Sequence, residues 1–126
     1  LRKLKMLADQ HGLRIYTGAG GIAKNGKQFK DTWGTAEELI AKAISVAKTV
    51  GSPVVNVRIG SIDDRFLDGG IQPRIDEAIR VLNATRSRAI DAGIKFGFKN
   101  HAADLRSEEL VTLIEEVGTD VCGVML

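Results

Sequence analysis

The stretch IKFGFKNHAADLRSEEL, residues 94–110, predicts a β-strand that leads through polar residues into a helix. Side chains alternate across a strand, so successive residues of this stretch face opposite sides of a sheet. One set is apolar and comprises Ile94, Phe96 and Phe98, and the other is polar or small and comprises Lys95, Gly97 and Lys99. The apolar side of such a strand suits packing against helices, which leaves the polar side for another role.

The same order of elements recurs along the chain. Four helix-to-strand returns pass through a glycine, namely HGLRIY (11–16), VGSPVVNV (50–57), AGIKFGF (92–98) and VGTDVCGV (117–124). The predicted strands occupy 13–18, 53–60, a run from Ile94, and 121–126. A helix precedes each of them, and the second helix begins at Thr35, because Thr35 and Glu38 have capping-box spacing. Repeated βα units predict a parallel sheet with right-handed crossovers.

The polar strand face separates two kinds of parallel fold. In a doubly wound sheet helices cover both faces, so the strands are apolar throughout. A barrel instead turns one strand face inward, builds its active site at the carboxyl ends of the strands, and needs about 250 residues. Four βα units are half of that. We therefore predict an α/β fold, a helix-first parallel (βα)4 half of a TIM barrel, with residues 1–126 as a single domain and a fragment of a (β/α)8 barrel.

Composition excludes several functional classes. The net charge is +2, with 18 basic and 16 acidic residues, which gives no electrostatic case for nucleic acid. One cysteine, Cys122, allows no internal disulfide and no CxxC metal motif. The sequence contains no apolar run of about 18 residues that would predict a membrane span. It shows no signal-peptide pattern either, so a cytoplasmic location is the expectation.

The run GIKFGFKNHAADLRSEELVTLIEEVGTDVCGVML, residues 93–126, resembles the sugar phosphate isomerase/epimerase superfamily, which comprises xylose isomerase-like TIM barrels. In that family a strand ends in Glu-Asn-His, a helix of the form S-E-E-L-x-x-L-I-E-x-V-G follows, and the next strand ends in Leu-Asp-Thr-Gly-Asn. The segments LKMLADQHGLRIYTGAG (4–20) and AISVAKTVGSPVVNVRIG (43–60) are similar to the family's third and fourth strands with their preceding helices. The resemblance thus implies that the chain corresponds to strands three to six.

The resemblance implies metal-assisted isomerisation or epimerisation of a small sugar, sugar phosphate or polyol. The family binds Mn²⁺, Mg²⁺ or Zn²⁺ through carboxylate and histidine ligands, and the cation stabilises a developing enediolate. This sequence departs from the pattern, because Lys99 stands in place of the first metal-binding glutamate and the chain ends at Leu126, one residue before the expected aspartate. We therefore predict no metal ligand and no cofactor in this chain, although a divalent metal is implied for the intact family fold.

Two hypotheses of different classes follow. In the first, the chain is part of an isomerase-like protein, is inactive alone, and either self-associates or joins a missing barrel half, because open sheet edges invite pairing. In the second, it is a non-catalytic binding or scaffold module that has lost its metal site. The expected partners are a small sugar or sugar phosphate, with no nucleic acid and no membrane.

Lys99 and His101 are the candidate catalytic residues. Lys99 could replace part of the metal's charge, form a Schiff base with a carbonyl substrate, or mark only a lost metal site. His101 could donate to a substrate or act as acid or base, or it could be a turn residue. Asn100 and His101 match the family's Glu-Asn-His motif, which implies a substrate-pocket role for both.

Three further residues are candidates for substrate binding. Arg58 faces the polar side near the end of its predicted strand, where it could grip a phosphate or pair with Asp63 or Asp64 of the next loop. Tyr16 could bind substrate or pack in the core, with packing favoured. Trp33 could form a wall over a sugar ring or anchor its own loop. Three other features are predicted to be less specific: Asp63, Asp64 and Arg65 form a solvated loop, Cys122 is buried filler, and the amides of GAGG (18–21) could hold an anion.

Overall fold

The computed structural model describes residues 1–100 and 105–125. Four helices alternate with four strands, and a helix comes first. The helices are α1 (Arg2–Gln10), α2 (Ala36–Val50), α3 (Gln72–Asp91) and α4 (Ser107–Val117). The strands are β1 (Thr17–Gly21), β2 (Val54–Arg58), β3 (Lys95–Phe98) and β4 (Cys122–Val124). Two short 3₁₀ turns, Asp31–Trp33 and Ile62–Phe66, lie in the loops after β1 and β2.

All four strands are parallel, and their order across the sheet is the order along the chain, β1-β2-β3-β4. The predicted α/β fold with a parallel sheet is therefore confirmed. Strand order never reverses within the described part of the chain. Crossovers of a single hand between successive neighbours place all the connecting helices on one side of the sheet.

The two faces of the sheet differ as the sequence predicts for β2 and β3. Val55, Val57, Phe96 and Phe98 are at most 1% exposed and belong to the core that the helices cover. On the opposite face Gly97 is buried, and the other neighbours are half-buried or exposed, namely Val54, Asn56, Arg58, Lys95 and Lys99. The core thus lies between the sheet and its helices, while the other face is left to polar and small side chains.

The predicted bounds of the first strand are wrong. β1 begins at Thr17 rather than at Leu13, and Leu13 and Tyr16 are 64% and 56% exposed. Contacts with the chain around β2 set this register, because the Thr17 N–H donates to Ser52 Oγ (3.2 Å) and Thr17 Oγ1 donates to the Val54 carbonyl (3.0 Å). Residues 19–21, which lie beyond the predicted strand and were predicted as loop, therefore belong to β1. Tertiary pairing outweighs the higher β propensity of the residues before it.

The second helix confirms its predicted start. The Glu38 N–H donates to Thr35 Oγ1 (3.2 Å), and Glu38 Oε2 accepts from the Thr35 N–H (2.8 Å), which completes the capping box. Gly51 ends the helix in the left-handed region, at φ 73°. Helix α1 differs, since Ala8 is its one buried residue while Leu4 and Leu7 are each 53% exposed. Across residues 1–100 and 105–125, no helix is long and apolar enough to span a bilayer.

Candidate functional site

Arg58 and Lys99 lie side by side at the carboxyl edge of the sheet. Arg58 is the last residue of β2, and Lys99 directly follows β3. Val57 pairs with Phe98 in the parallel register, and the Lys99 N–H donates to the Val57 carbonyl (3.0 Å), so the pairing continues to Arg58 and Lys99. Both residues are on the face opposite the buried Val57 and Phe98. Adjacent strands are about 4.8 Å apart, so the structure brings these two predicted site residues together.

Neither cation has an acidic partner in the described part of the chain. The ion pairs found there involve Lys5, Arg65, Arg80 and Arg86, and none involves Arg58 or Lys99. Lys99 is exposed and Arg58 is half-buried. The Arg58 Nε atom is buried and has no hydrogen-bond partner among the described residues. The edge therefore carries two neighbouring positive charges that no described carboxylate pairs with.

The alternative partner predicted for Arg58 is engaged elsewhere. Asp64 is fully buried, and its carboxylate accepts from the backbone N–H groups of Lys27 (2.8 Å) and Ser61 (2.9 Å). Asp64 thereby joins the loop after β1 to the loop after β2. Asp63 is exposed and forms no ion pair with any described residue. A structural pair of Arg58 with Asp63 or Asp64 is therefore absent from residues 1–100 and 105–125.

The solvated-loop interpretation is also wrong for Asp64 and Arg65. Asp64 is buried as above, and the Arg65 guanidinium donates two hydrogen bonds to the Glu109 carboxylate, at 2.7 and 2.9 Å. The Arg65 guanidinium is the main cause that lowers the pKa of Glu109 to about 2. The sequence did carry one usable signal, because Ser61 and Asp64 have the spacing of a capping box. The Arg65–Glu109 contact joins the loop after β2 to helix α4, which are far apart along the chain, so no local pattern indicates it.

Asn100 is used by its own loop. Its Nδ2 donates to the Leu105 carbonyl (2.9 Å), and its Oδ1 accepts from the Leu105 N–H (3.1 Å). The amide therefore bridges Asn100 and Leu105, the residues on either side of segment 101–104. His101 belongs to that segment and lies outside the described residues. A substrate role for Asn100 and His101 stays a prediction.

Trp33 lines a cavity of about 380 Å³ that also reaches Arg58. The cavity runs along the outer edge of β1, between α2 and the loop after β1. Trp33 is 54% exposed, and the Lys42 ammonium lies 3.4 Å from the centroid of its ring, which is a cation–π contact. Trp33 thus contacts α2 and forms part of a cavity wall, while its contact with a sugar ring stays a prediction.

Lys30 and Lys42 are basic residues of this cavity that the sequence analysis missed. The pattern of α2 held a signal for Lys42, because Leu39, Lys42, Ala43 and Val46 share one helical face. A lysine within an apolar stripe marks either the edge of the buried helix face or a position where a positive charge has a role. Lys30 follows no such pattern, and only the folded loop brings it near Arg58.

Tyr16 lies at the opposite end of the sheet from Arg58. It directly precedes β1, whose first residue, Thr17, pairs with Val55 near the start of β2. At 56% exposure Tyr16 is not a core residue, so the favoured packing interpretation is wrong. The structure does not bring Tyr16 to Arg58 and Lys99, and its predicted role in substrate binding gains no geometric support.

The described side chains form no candidate site for a divalent metal. Within residues 1–100 and 105–125, no group of three or more histidine, cysteine, aspartate or glutamate side chains could hold a metal ion. Cys122 is buried as predicted, and burial raises the pKa of its thiol to about 12. A buried thiol whose pKa is raised is a poor nucleophile near neutral pH.

Comparison of the sequence with protein-family models found no match. A search of curated proteins likewise found no significant match.

Proposed function

We propose that this chain forms four consecutive βα units of a (β/α)8 barrel of the sugar phosphate isomerase/epimerase type. In this proposal Arg58 and Lys99 bind the anionic group of a sugar phosphate at the barrel mouth. The single observation that carries the proposal is that these two cations are neighbours at the carboxyl edge of the sheet, with no acidic partner in the described chain. In barrels, that edge is where ligands bind.

The architecture supports a barrel over a doubly wound sheet. Strand order follows chain order without reversal, and helices cover the apolar face alone. Doubly wound sheets reverse their strand order and bury both faces. On the uncovered face, one row across the sheet consists of Gly18, Asn56, Gly97 and Gly123. Small residues in such a row leave room for side chains from facing strands to fill a barrel interior.

Charge clamping is the role that the geometry favours for Lys99. Schiff-base formation needs an uncharged amine, which burial favours, whereas Lys99 is exposed. As an ammonium, Lys99 can bind a phosphate or stabilise negative charge on a substrate oxygen. Arg58 adds a planar fork that suits two phosphate oxygens at once. Together the two side chains would hold and orient an anionic sugar.

Binding of a hexose phosphate tests this proposal. Calorimetric titration of the chain should show that hexose phosphate binds and the parent hexose does not. Lys99→Ala and Arg58→Ala should each weaken binding about tenfold, the ~1.4 kcal/mol typical of one charged hydrogen bond. Lys95→Ala is the matched control, because Lys95 is exposed on the same face of β3 but at its amino end. Equal weakening by Lys95→Ala, or no effect of Lys99→Ala, would contradict the proposal.

A second experiment separates the isomerase-like proposal from the scaffold alternative. Lys99→Glu restores the residue type that the family resemblance expects at this position. Thermal melting of wild type and variant is then compared with EDTA and with excess Mn²⁺, where a metal at about 100 times its dissociation constant adds about 2.7 kcal/mol. A shift in the variant alone would indicate that this position is one substitution from metal binding, and it would favour the isomerase-like proposal. No shift in either protein would favour the scaffold alternative.

A further inference from the structure

Lys30 extends the row of positive charge at the carboxyl edge of the sheet beyond Arg58 and Lys99. We propose that Lys30 and Arg58 form a second anion subsite, so that the substrate is a sugar with two phosphate groups. The second subsite rests on the function proposed above, in which Arg58 and Lys99 hold the first phosphate. The class of substrate is then a sugar bisphosphate.

The loop after β1 folds back over the carboxyl end of its own strand. Gly21, the last residue of β1, is buried and pairs with Arg58. The backbone of Gln28 packs on Gly21 so closely that a Cβ atom at Gly21 would lie 2.7 Å from the Gln28 carbonyl oxygen. A side chain at this position would therefore displace the loop. Lys30 follows Gln28 closely in the sequence, so the fold-back carries it to the end of β1 beside Arg58.

Hydrogen bonds hold the folded-back loop in place. The Ile22 N–H donates to the Arg58 carbonyl (3.0 Å), and the Lys27 N–H donates to the buried Asp64 carboxylate (2.8 Å). These contacts involve the loop that follows β1 and the chain around the end of β2, not the outer edge of β1. The loop is thus ordered before a ligand binds, which lowers the entropic cost of using Lys30.

Lys30 and Arg58 face one cavity of a single charge sign. Both line the cavity of about 380 Å³, and no described aspartate or glutamate lines it. Lys30 forms no ion pair with any described residue, and the exposed Asp31 beside it forms none either. A cleft lined by charges of one sign attracts ligands of the opposite sign. The positive charge that Lys30 adds is therefore available to an anion.

The spacing of the cations favours two separate phosphates over one. Lys30 lies at the end of β1, Arg58 ends β2 and Lys99 follows β3. Adjacent strands are about 4.8 Å apart, so the outer positions of this row are roughly 10 Å apart. One compact phosphate does not span that row, whereas phosphates at the two ends of a hexose are separated by the whole sugar. Arg58 can serve both, because a guanidinium carries five N–H donors.

Calorimetric titration with matched hexose phosphates tests the second subsite. A hexose bisphosphate with phosphates on its first and last carbons should bind wild type about tenfold more tightly than the hexose monophosphate. That gain corresponds to one added hydrogen bond between charged groups. All titrations use one salt concentration, because salt screens the attraction between exposed charges.

Matched lysine variants locate the second phosphate. Lys30→Ala should remove the gain for the bisphosphate and change monophosphate binding about twofold or less, whereas Lys30→Arg, which keeps the charge, should retain the gain. Lys27→Ala is the control, because Lys27 is an exposed lysine of the same loop that does not line the cavity. It should leave the gain intact. Arg58→Ala should weaken binding of both ligands, since Arg58 contacts both phosphates.

The possible failures are distinguishable. Equal affinity of wild type for the monophosphate and the bisphosphate would overturn the second subsite and leave the first intact. Equal loss of the gain in Lys27→Ala and Lys30→Ala would also overturn it, because net charge rather than the position of Lys30 would then cause the gain. Failure of both ligands to bind wild type would overturn the sugar phosphate proposal itself, and the second subsite with it.

Discussion

The two faces of the sheet share the same strands but differ in what they do. On the helix-covered face, Val57 and Phe98 are at most 1% exposed and fill the core. One residue further along each strand, Arg58 and Lys99 lie on the uncovered face with no acidic partner in the described chain. Stability is thus concentrated on one face and the proposed binding residues lie on the other, and a strand can serve both because its side chains alternate.

This division implies that neighbouring residues can differ greatly in their tolerance of substitution. A buried aromatic side chain removes a large apolar area from water, so its loss costs stability. An exposed cation contributes little to stability, so its loss should mainly weaken the binding of a ligand. Substitutions on each face, and in the loops that follow the strands, test this difference between the two faces.

The largest effect is expected for Phe98→Ala. Phe98 is 1% exposed within the core, so truncation leaves a cavity and should lower the free energy of unfolding by about 3–5 kcal/mol. Urea denaturation followed by circular dichroism measures the change. Phe98→Leu is a second variant that keeps most of the volume and should remain folded. A loss below about 1 kcal/mol in Phe98→Ala would contradict the conclusion that the helix-covered face provides the stability.

The next effect is expected for Asp64→Ala. The buried carboxylate accepts from the backbone N–H groups of Lys27 and Ser61, and alanine would leave both donors unsatisfied. We expect a loss of about 2–4 kcal/mol, since each buried unpaired group costs about 1–3 kcal/mol. Asp63→Ala is the control, because Asp63 is exposed. Equal effects of the two substitutions in urea denaturation would show that burial of Asp64 does not govern the loop.

A smaller, pH-dependent effect is expected for Glu109. Arg65 holds the pKa of this carboxyl at about 2, below its usual 4.5, so the folded state favours the charged form. The resulting stability is complete above about pH 4.5 and is lost as the pH falls toward 2. With both side chains about one-fifth exposed, about 1–2 kcal/mol is expected.

Denaturation of wild type and Glu109→Gln between pH 2 and 7 measures this contribution. The difference in unfolding free energy between the two proteins should shrink as the pH falls through that window. Glu116→Gln is the control, because Glu116 is an exposed carboxylate on the same helix. A difference that stays constant across the range would contradict the assigned role of Arg65.

The smallest effect on stability is expected for Lys99→Ala. Lys99 is exposed, and exposed substitutions usually change stability by less than about 0.5 kcal/mol. The same variant should nevertheless weaken hexose phosphate binding about tenfold, as proposed above. A large loss of stability with unchanged binding would contradict the proposal that Lys99 serves binding and not stability.

The fold was predictable where local pattern and tertiary structure agree. The alternation in β2 and β3, the capping box at Thr35 and the glycine returns correctly indicated a parallel α/β sheet with one polar face. The prediction failed at β1, where Leu13 to Tyr16 have higher strand propensity than the glycines that actually pair with β2. Hydrogen bonds from Thr17 to the chain around β2 fix that register, and a single strand's sequence does not contain them.

The candidate site was predictable in part for the same reason. Arg58 and Lys99 could be placed on the polar face because alternation is a local property of each strand. Their adjacency and the Arg65–Glu109 pair depend on contacts between distant segments, which no local spacing indicates. For Asp64 the spacing to Ser61 indicated a capping box, but its burial depends on the distant Lys27. Lys30 reaches the cavity beside β1 only once the loop after that strand has folded, and Lys42 reaches it only once α2 has packed beside the strand.

The sequence by itself determined the element types, their order and the two-faced character of the central strands, because periodicity and capping act over a few residues. The tertiary structure decided the register of β1, the partners of the loop carboxylates and the meeting of Arg58 with Lys99. These features depend on hydrogen bonds and burial between segments more than 30 residues apart, such as the contact of Lys27 with Asp64. Such contacts form only when the whole sheet is assembled, so no local pattern encodes them.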